Sequence, residues 1–242
     1  MPLTSPELSQ TAIGFRPYGF MEYTAPVWLP AHYAYLNVHM DTIEPAEQSA
    51  LNAAIADCDA ADACVLSSPA AARQMAAHLP SKSNASQFKV CVMGQGTADE
   101  ARAMQPDLNI VLSTTGESMG LFQTLRHCRH VVFLRAQSGR EDLMEALLAI
   151  GIRVSIHAVY TREPRADFSA MFQSAAQSFM RKNLRPKLVL SSYDQPLRIL
   201  SALAAYPELS QWVQILSVLA THARVAARAS ALGFVAVQQN NL

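Results

Sequence analysis

One short phrase occurs twice in this chain: residues 64–68 read Cys-Val-Leu-Ser-Ser and residues 188–192 read Leu-Val-Leu-Ser-Ser. Each copy is followed, at the same distance, by a second matching signal. Ser68 leads to Thr97 in Val90-Cys-Val-Met-Gly-Gln-Gly-Thr97-Ala98, and Ser192 leads to Thr221 in Ile215-Leu-Ser-Val-Leu-Ala-Thr221-His222-Ala223. In both copies a short apolar run of strand type ends in small hydroxyl residues and opens into an Ala-rich, helix-favouring stretch. Two such βαβ modules predict two α/β domains that can face each other across a cleft. In sheets of this kind ligands gather outside the carboxyl ends of the strands.

The rest of the chain fits that frame. Residues 1–45 are the hardest to place, because Pro26 and Pro30 interrupt any helix there, although residues 35–40 alternate like a strand. From Pro45 the pattern predicts helices near 46–57, 69–78, 97–105, 119–126 and 140–150, with Ser118 as a helix cap. Strands are predicted at 63–67, 88–93, 109–112, 130–134 and 153–160. Gly151 stands where a helix C-terminus wants a left-handed residue. After a polar crossing segment at 161–167, helices are predicted at 168–182, 195–205 and 222–232, with strands at 187–191, 213–218 and 234–237. Strict alternation means parallel sheets covered on both faces. The C-terminal half has too few strands for a sheet of its own. The first 40 residues would complete it, which makes the middle of the chain an insertion.

Composition removes several classes. Half of the residues are hydrophobic, enough for real cores. Net charge is zero with 16% charged residues, so no basic stripe for nucleic acid is expected. No apolar run reaches the roughly 18 residues that span a bilayer. Met1-Pro-Leu-Thr-Ser-Pro has neither a basic start nor an apolar core, so a cytoplasmic location is expected. Cys58, Cys64, Cys91 and Cys128 form no CxxC pair and read as reduced, mostly buried thiols. His127, Cys128 and His130 lack a fourth ligand nearby, so no metal is expected. Gly94-Gln-Gly96 is too short for a dinucleotide fingerprint.

In order and spacing, the segments together resemble the uroporphyrinogen-III synthase family. They are Ile43-Glu-Pro45, Leu66-Ser-Ser-Pro-Ala70, Val92-Met-Gly-Gln-Gly-Thr97-Ala98, Glu117-Ser-Met-Gly-Leu121, Phe133-Leu-Arg-Ala-Gln-Ser-Gly-Arg140, Ala158-Val-Tyr160-Thr-Arg162 and Ser191-Ser192. His222-Ala-Arg224 is similar to a His-x-Arg variant of bacterial members, and Arg16-Pro17 falls where the family has Thr-Arg-Pro. The resemblance implies two doubly wound parallel-sheet domains joined by a two-stranded connector, the second inserted in the first. The expected boundaries are 1–35 with 166–242, an inserted domain at 46–155, and connecting strands at 36–45 and 156–165.

The resemblance also implies a cofactor-free reaction, closure of linear hydroxymethylbilane to uroporphyrinogen III with inversion of ring D and loss of water. The partner is then a small linear tetrapyrrole, with no nucleic acid or membrane, on a monomer in possible transient contact with the preceding deaminase. Tyr160 matches the family tyrosine thought to assist departure of the terminal hydroxyl. Ser68, Thr97, Ser192, Thr221, His222 and Arg16 are the candidate substrate-binding residues. The substrate's carboxylates would meet backbone N–H groups just after Ser68, Thr97, Ser192 and Thr221, which needs no net basic charge. For most of these positions an ordinary role competes: a packed tyrosine at a strand end, helix caps at the serines and threonines, a solvated arginine. Leu219 stands where the second repeat normally has glycine. A catalytically inactive binding or regulatory module of the same fold is therefore the alternative.

Overall fold

A computed structural model describes residues 10–18, 33–81, 87–137, 139 and 141–239. From the N-terminus come β1 (Gln10–Tyr18), β2 (Tyr33–Pro45), α1 (Gln48–Asp59), β3 (Ala63–Leu66) and α2 (Pro69–Met75). There follow β4 (Lys89–Val92), α3 (Gln95–Met104), β5 (Ile110–Leu112), α4 (Phe122–Leu125), β6 (His130–Ala136), α5 (Asp142–Ala149) and β7 (Arg153–Pro164). The last stretch holds α6 (Phe168–Arg181), β8 (Lys187–Leu190), α7 (Gln195–Ala202), α8 (Pro207–Gln214), β9 (Ser217–Ala220), α9 (Ala223–Ala231) and β10 (Ala236–Gln239).

The chain divides into two compact units, Met1–Thr42 with Glu163–Leu242, and Ile43–Arg162. In the first the strand order is β10-β9-β8-β1-β2, and in the second β7-β6-β3-β4-β5. The neighbours within each order run parallel. The strands β2 and β7 pass from one unit to the other and lie side by side, antiparallel. Arg165 N donates to Met40 O and Ala46 N to Val159 O, at 3.0 and 3.1 Å. Hydrogen bonding thus gives the ten strands a single order, with β2 next to β7.

In the second unit the strands alternate between two apolar layers, as a sheet covered on both faces requires. Ala63, Val65, Cys91, Val131 and Phe133 pack with Leu121, Leu125, Leu143 and Leu147 from the α4 and α5 side. On the opposite face α1, α2 and α3 cover the strands, and the Cys64 thiol meets that of Cys58. All four cysteines are buried and free, and all belong to this unit. Burial pushes the Cys91 thiol up to about 12, and burial, with Cys58 beside it, holds that of Cys64 well above its ordinary value. In the first unit the core gathers Phe168, Phe172, Leu188, Leu190, Ile199, Val213, Val218 and Val225. Helix α6 supplies Phe168, Phe172 and Ala176 at every fourth position, one helical face.

Several local expectations are corrected. The stretch 213–218, expected as a strand, begins inside α8, and only Ser217–Ala220 is extended. Pro207 opens that helix, and Leu209 and Val213, four apart, bury one side of it. A short apolar run cannot by itself distinguish a strand from a buried helical turn. Residues 10–18, left unplaced by the sequence, form β1, and Pro17 sits at its register shift against β2, where a residue without a donor is tolerated. Ser118 caps nothing. It lies inside a 3-10 turn, Ser118–Leu121, and its buried Oγ has no hydrogen-bond partner among the described residues. Gly151 does take the left-handed conformation, at φ +80°. Pro26 and Pro30 lie outside the described residues.

Candidate active site

Strand β3 ends at Leu66 and the chain turns through Ser67 and Ser68 into α2. Ser68 is the N-cap of that helix: its backbone is extended and its Oγ accepts from Ala71 N at 3.1 Å, with Pro69 in the first helical position. The same Oγ lies 2.9 Å from the hydroxyl of Tyr160 on β7. Two residues chosen from sequence, far apart in the chain, therefore touch.

A β-bulge makes that contact. Between β6 and β7, Arg135 pairs with Ala158 but Ala136 pairs with Tyr160, so Val159 is the extra residue. Leu66 pairs with Leu134. Continued two residues along, that register puts Ser68, Ala136 and Tyr160 in one row. Without the bulge the apolar Val159 would hold that place. Tyr160 is 3% exposed, so it is not the tyrosine with a wet tip that a strand end suggests, whereas Ser67 and Ser68 are half-buried. Two hydroxyls carry two protons, and their mutual bond engages one. Ser68 Oγ already accepts from Ala71, so whichever hydroxyl donates within the pair, the other keeps a proton for a third group.

Beside this row, Arg135 is buried and its guanidinium lies 3.4 Å from Glu141 Oε1. The segment Glu117–Leu121 is held by Ser113, whose Oγ donates to Glu117 O at 2.6 Å. Gly120 is tight against Ser113 Oγ and Thr115 Oγ1, and a Cβ there would collide with both.

The other candidates fall differently. Thr97 is not a cap: Gly94 is, and Thr97 is a buried residue in the first turn of α3, its N donating to Gly94 O at 3.1 Å. Ser192 is not a cap either. Asp194 is the N-cap of α7, while the backbone N–H groups of Ser191 and Ser192 both donate to Oε1 of buried Gln195, at 2.7 and 3.0 Å. Thr221 sends both N and Oγ1 to Leu190 O, at 3.0 and 3.4 Å, and so ties the end of β9 to the end of β8, which Ser192 follows by two residues. His222 is the exposed N-cap of α9 without a side-chain capping bond. Arg16 pairs through its backbone with His39 of β2, and its side chain lies outside the described residues.

The spacing repeat is thus not a structural repeat. Thr97 is the third residue of its helix, whereas Thr221 precedes its helix by two. The position matching Thr97 in α9 is Val225, also buried, and the N-caps Gly94 and His222 correspond. The proposed backbone donors are also fewer than expected. Pro69 has no N–H, and Ala98 N donates to Gly94 O at 3.2 Å.

Along the first halves of β6 and β7 a second polar cluster forms, which the sequence reading missed because α1 supplies its carboxylate. Asp57 lies 2.9 Å from His157 Nε2 and 3.7 Å from His130 Nε2, and His130 Nε2 is 2.9 Å from Ser155 Oγ. Ser155 and Asp57 approach the same imidazole nitrogen, so this is no nucleophile–base–carboxylate relay. Burial works to raise the pKa of Asp57, but hydrogen bonds from His157 and Ser155, with His130 near, outweigh it and hold the carboxyl below its usual range.

The model of the uroporphyrinogen-III synthase (HemD) family matches residues 38–239 of this chain. Among solved structures, a mutant uroporphyrinogen III synthase from the extremely thermophilic bacterium Thermus thermophilus superposes with a TM-score of 0.56 at 14% identity, over 87% of this chain and 85% of that one. The uroporphyrinogen-III synthetase of Helicobacter pylori gives 0.52 at 14% identity, over 96% and 93%. At such identities the likeness is one of fold. No curated protein matches the chain in sequence. Among the described residues no helix is long and apolar enough to cross a membrane.

Proposed function

The chain belongs to the uroporphyrinogen-III synthase family, and we propose from that premise that it closes linear hydroxymethylbilane to uroporphyrinogen III, inverting ring D with loss of water. The observation that carries this reading is the 2.9 Å contact between Tyr160 and Ser68. The terminal hydroxymethyl C–O bond breaks as the electron-rich pyrrole pushes electrons toward that carbon. The departing oxygen takes up the one proton that the hydroxyl pair keeps free and leaves as water. The cation bonds to the ring-D α-carbon that already carries the bridge to ring C, giving a spiro centre. The older bridge bond breaks, and the methylene cation so released on ring C bonds to the free α-carbon of ring D, which loses its proton. Ring D is thereby inverted, with no oxidant, reductant or cofactor called for. Positioned acid assistance of this kind contributes roughly 10²–10⁴-fold. Holding the chain ends in the geometry that inverts ring D decides the product, because unassisted closure gives the non-inverted isomer.

In this reading Tyr160 assists the leaving group, and Ser68, Thr97, Ser192, Thr221, His222 and Arg16 contribute to substrate binding. The two compact units serve as domains, joined by β2 and β7. The chain acts as a cytoplasmic monomer, in transient contact with the deaminase that makes its unstable substrate. One observation favours the second reading, a non-catalytic binding module: Tyr160 is almost wholly buried, as a purely structural tyrosine would be. A coupled assay with the deaminase, resolving the type I and type III isomers, separates the two. Type III product supports the enzyme. Type I product alone, at the spontaneous rate, leaves the binding module.

A further inference from the structure

Tyr193 follows Ser192 in the loop between β8 and α7, and is 45% exposed. The guanidinium carbons of Arg224 and Arg228 lie 5.3 and 5.2 Å from its ring centroid. The two arginines are four apart on α9 and so share a helix face, where like charges destabilise an isolated helix. Neither has a carboxylate partner among the described residues, and Arg228 Nε is buried there without a hydrogen-bond partner. A ring face attracts each cation, but it supplies no acceptor for the N–H groups that point away from it. Those N–H groups suit an anionic acceptor.

We propose that Tyr193, Arg224 and Arg228 form a carboxylate-binding subsite on the first unit, taking acetate or propionate side chains of the tetrapyrrole. The inference deepens the function proposed above and rests on it for the identity of the ligand. Two of the four backbone donors expected to hold carboxylates are missing, Pro69 for want of a proton and Ala98 because it bonds to Gly94. The amide of Ser192 is likewise engaged by Gln195. Side-chain cations must then do part of that work. Planar guanidiniums suit it, since each can present two parallel N–H groups to one carboxylate. Tyr193 orients both through its ring.

The test uses the full chain with uroporphyrin as probe, its binding followed by fluorescence at low and moderate salt, beside the coupled assay. The Arg224→Gln/Arg228→Gln double variant should weaken uroporphyrin binding by about 10- to 100-fold, the range for losing charge-assisted hydrogen bonds. It should flatten the salt dependence and raise KM more than it lowers kcat. Lysine at both positions should recover part of the affinity. Coproporphyrin, which keeps the propionates but lacks the acetates, should show a smaller penalty than uroporphyrin if the subsite holds acetate and an equal one if it holds propionate. If the double variant unfolds, exposed Arg224→Gln alone carries the test through the same readouts. Unchanged binding and unchanged KM overturn the subsite even if type III product forms. If the wild-type chain makes no type III product but the double variant still loses uroporphyrin affinity, the function reading fails and the subsite stands.

Discussion

Tyr160 and Ser68 share one contact but differ in what each loses when cut back. Tyr160→Phe keeps the ring and its packing and removes only the hydroxyl. Turnover should fall by about 10- to 1000-fold, the range for losing one positioned donor, with leakage toward the type I isomer as spontaneous closure competes. Full rate and pure type III product would make the tyrosine structural. Ser68→Ala should lower turnover less, but should destabilise the fold by about 1 kcal/mol through the lost helix cap, read from urea midpoints. A different residue sets an acid response. The folded pKa of Asp57 lies below its ordinary value of 3.8. Its contribution to stability is therefore present above that value and is lost as pH falls through the folded one. The stability gap between wild type and Asp57→Asn should be present above the ordinary value and close as pH falls below about 4. A gap that has already closed above pH about 5 would mean the carboxyl is held up, not down.

At the scale of elements, a single side chain organises the entry to α7. Gln195 Oε1 accepts from two successive amides, those of Ser191 and Ser192. Gln195→Leu fills the same buried space but leaves both donors without that acceptor, so a loss of about 1–3 kcal/mol is expected. Gln195→Glu keeps the acceptor and should lose much less. Equal stability of the two variants in chemical denaturation would show that water replaces the side chain. Elements also mark where the sequence was legible. Ser68, Pro69 and Gly151 announce themselves because a cap, a first-turn proline and a left-handed C-terminus each have a local chemical cause. The β6–β7 bulge had no such mark. Ala158, Val159 and Tyr160 read as ordinary alternation, and only pairing with β6 reveals the extra residue. The equal distances from Ser68 to Thr97 and from Ser192 to Thr221 misled, because α2 starts directly after Ser68 while α7 waits for Asp194.

The whole molecule distributes its reactive side chains unevenly. All four cysteines are buried, and all fall between Ile43 and Arg162. Trp212 packs against the core of the other unit, whereas Trp28 lies outside the described residues. A thiol with a pKa near 12, as for Cys91, supplies almost no thiolate at neutral pH, and burial blocks the reagent besides. The chain thus carries two intrinsic clocks that do not overlap. Alkylation of native protein should be far slower than that of free cysteine, and its onset with rising urea should time the opening of the Ile43–Arg162 unit alone. Emission from Trp212, isolated by Trp28→Phe, should time the opening of the other. Thiols that react at the free rate without denaturant would show that the second unit opens readily. Superimposed curves would mean that the units open together, and separated curves that each keeps its own time.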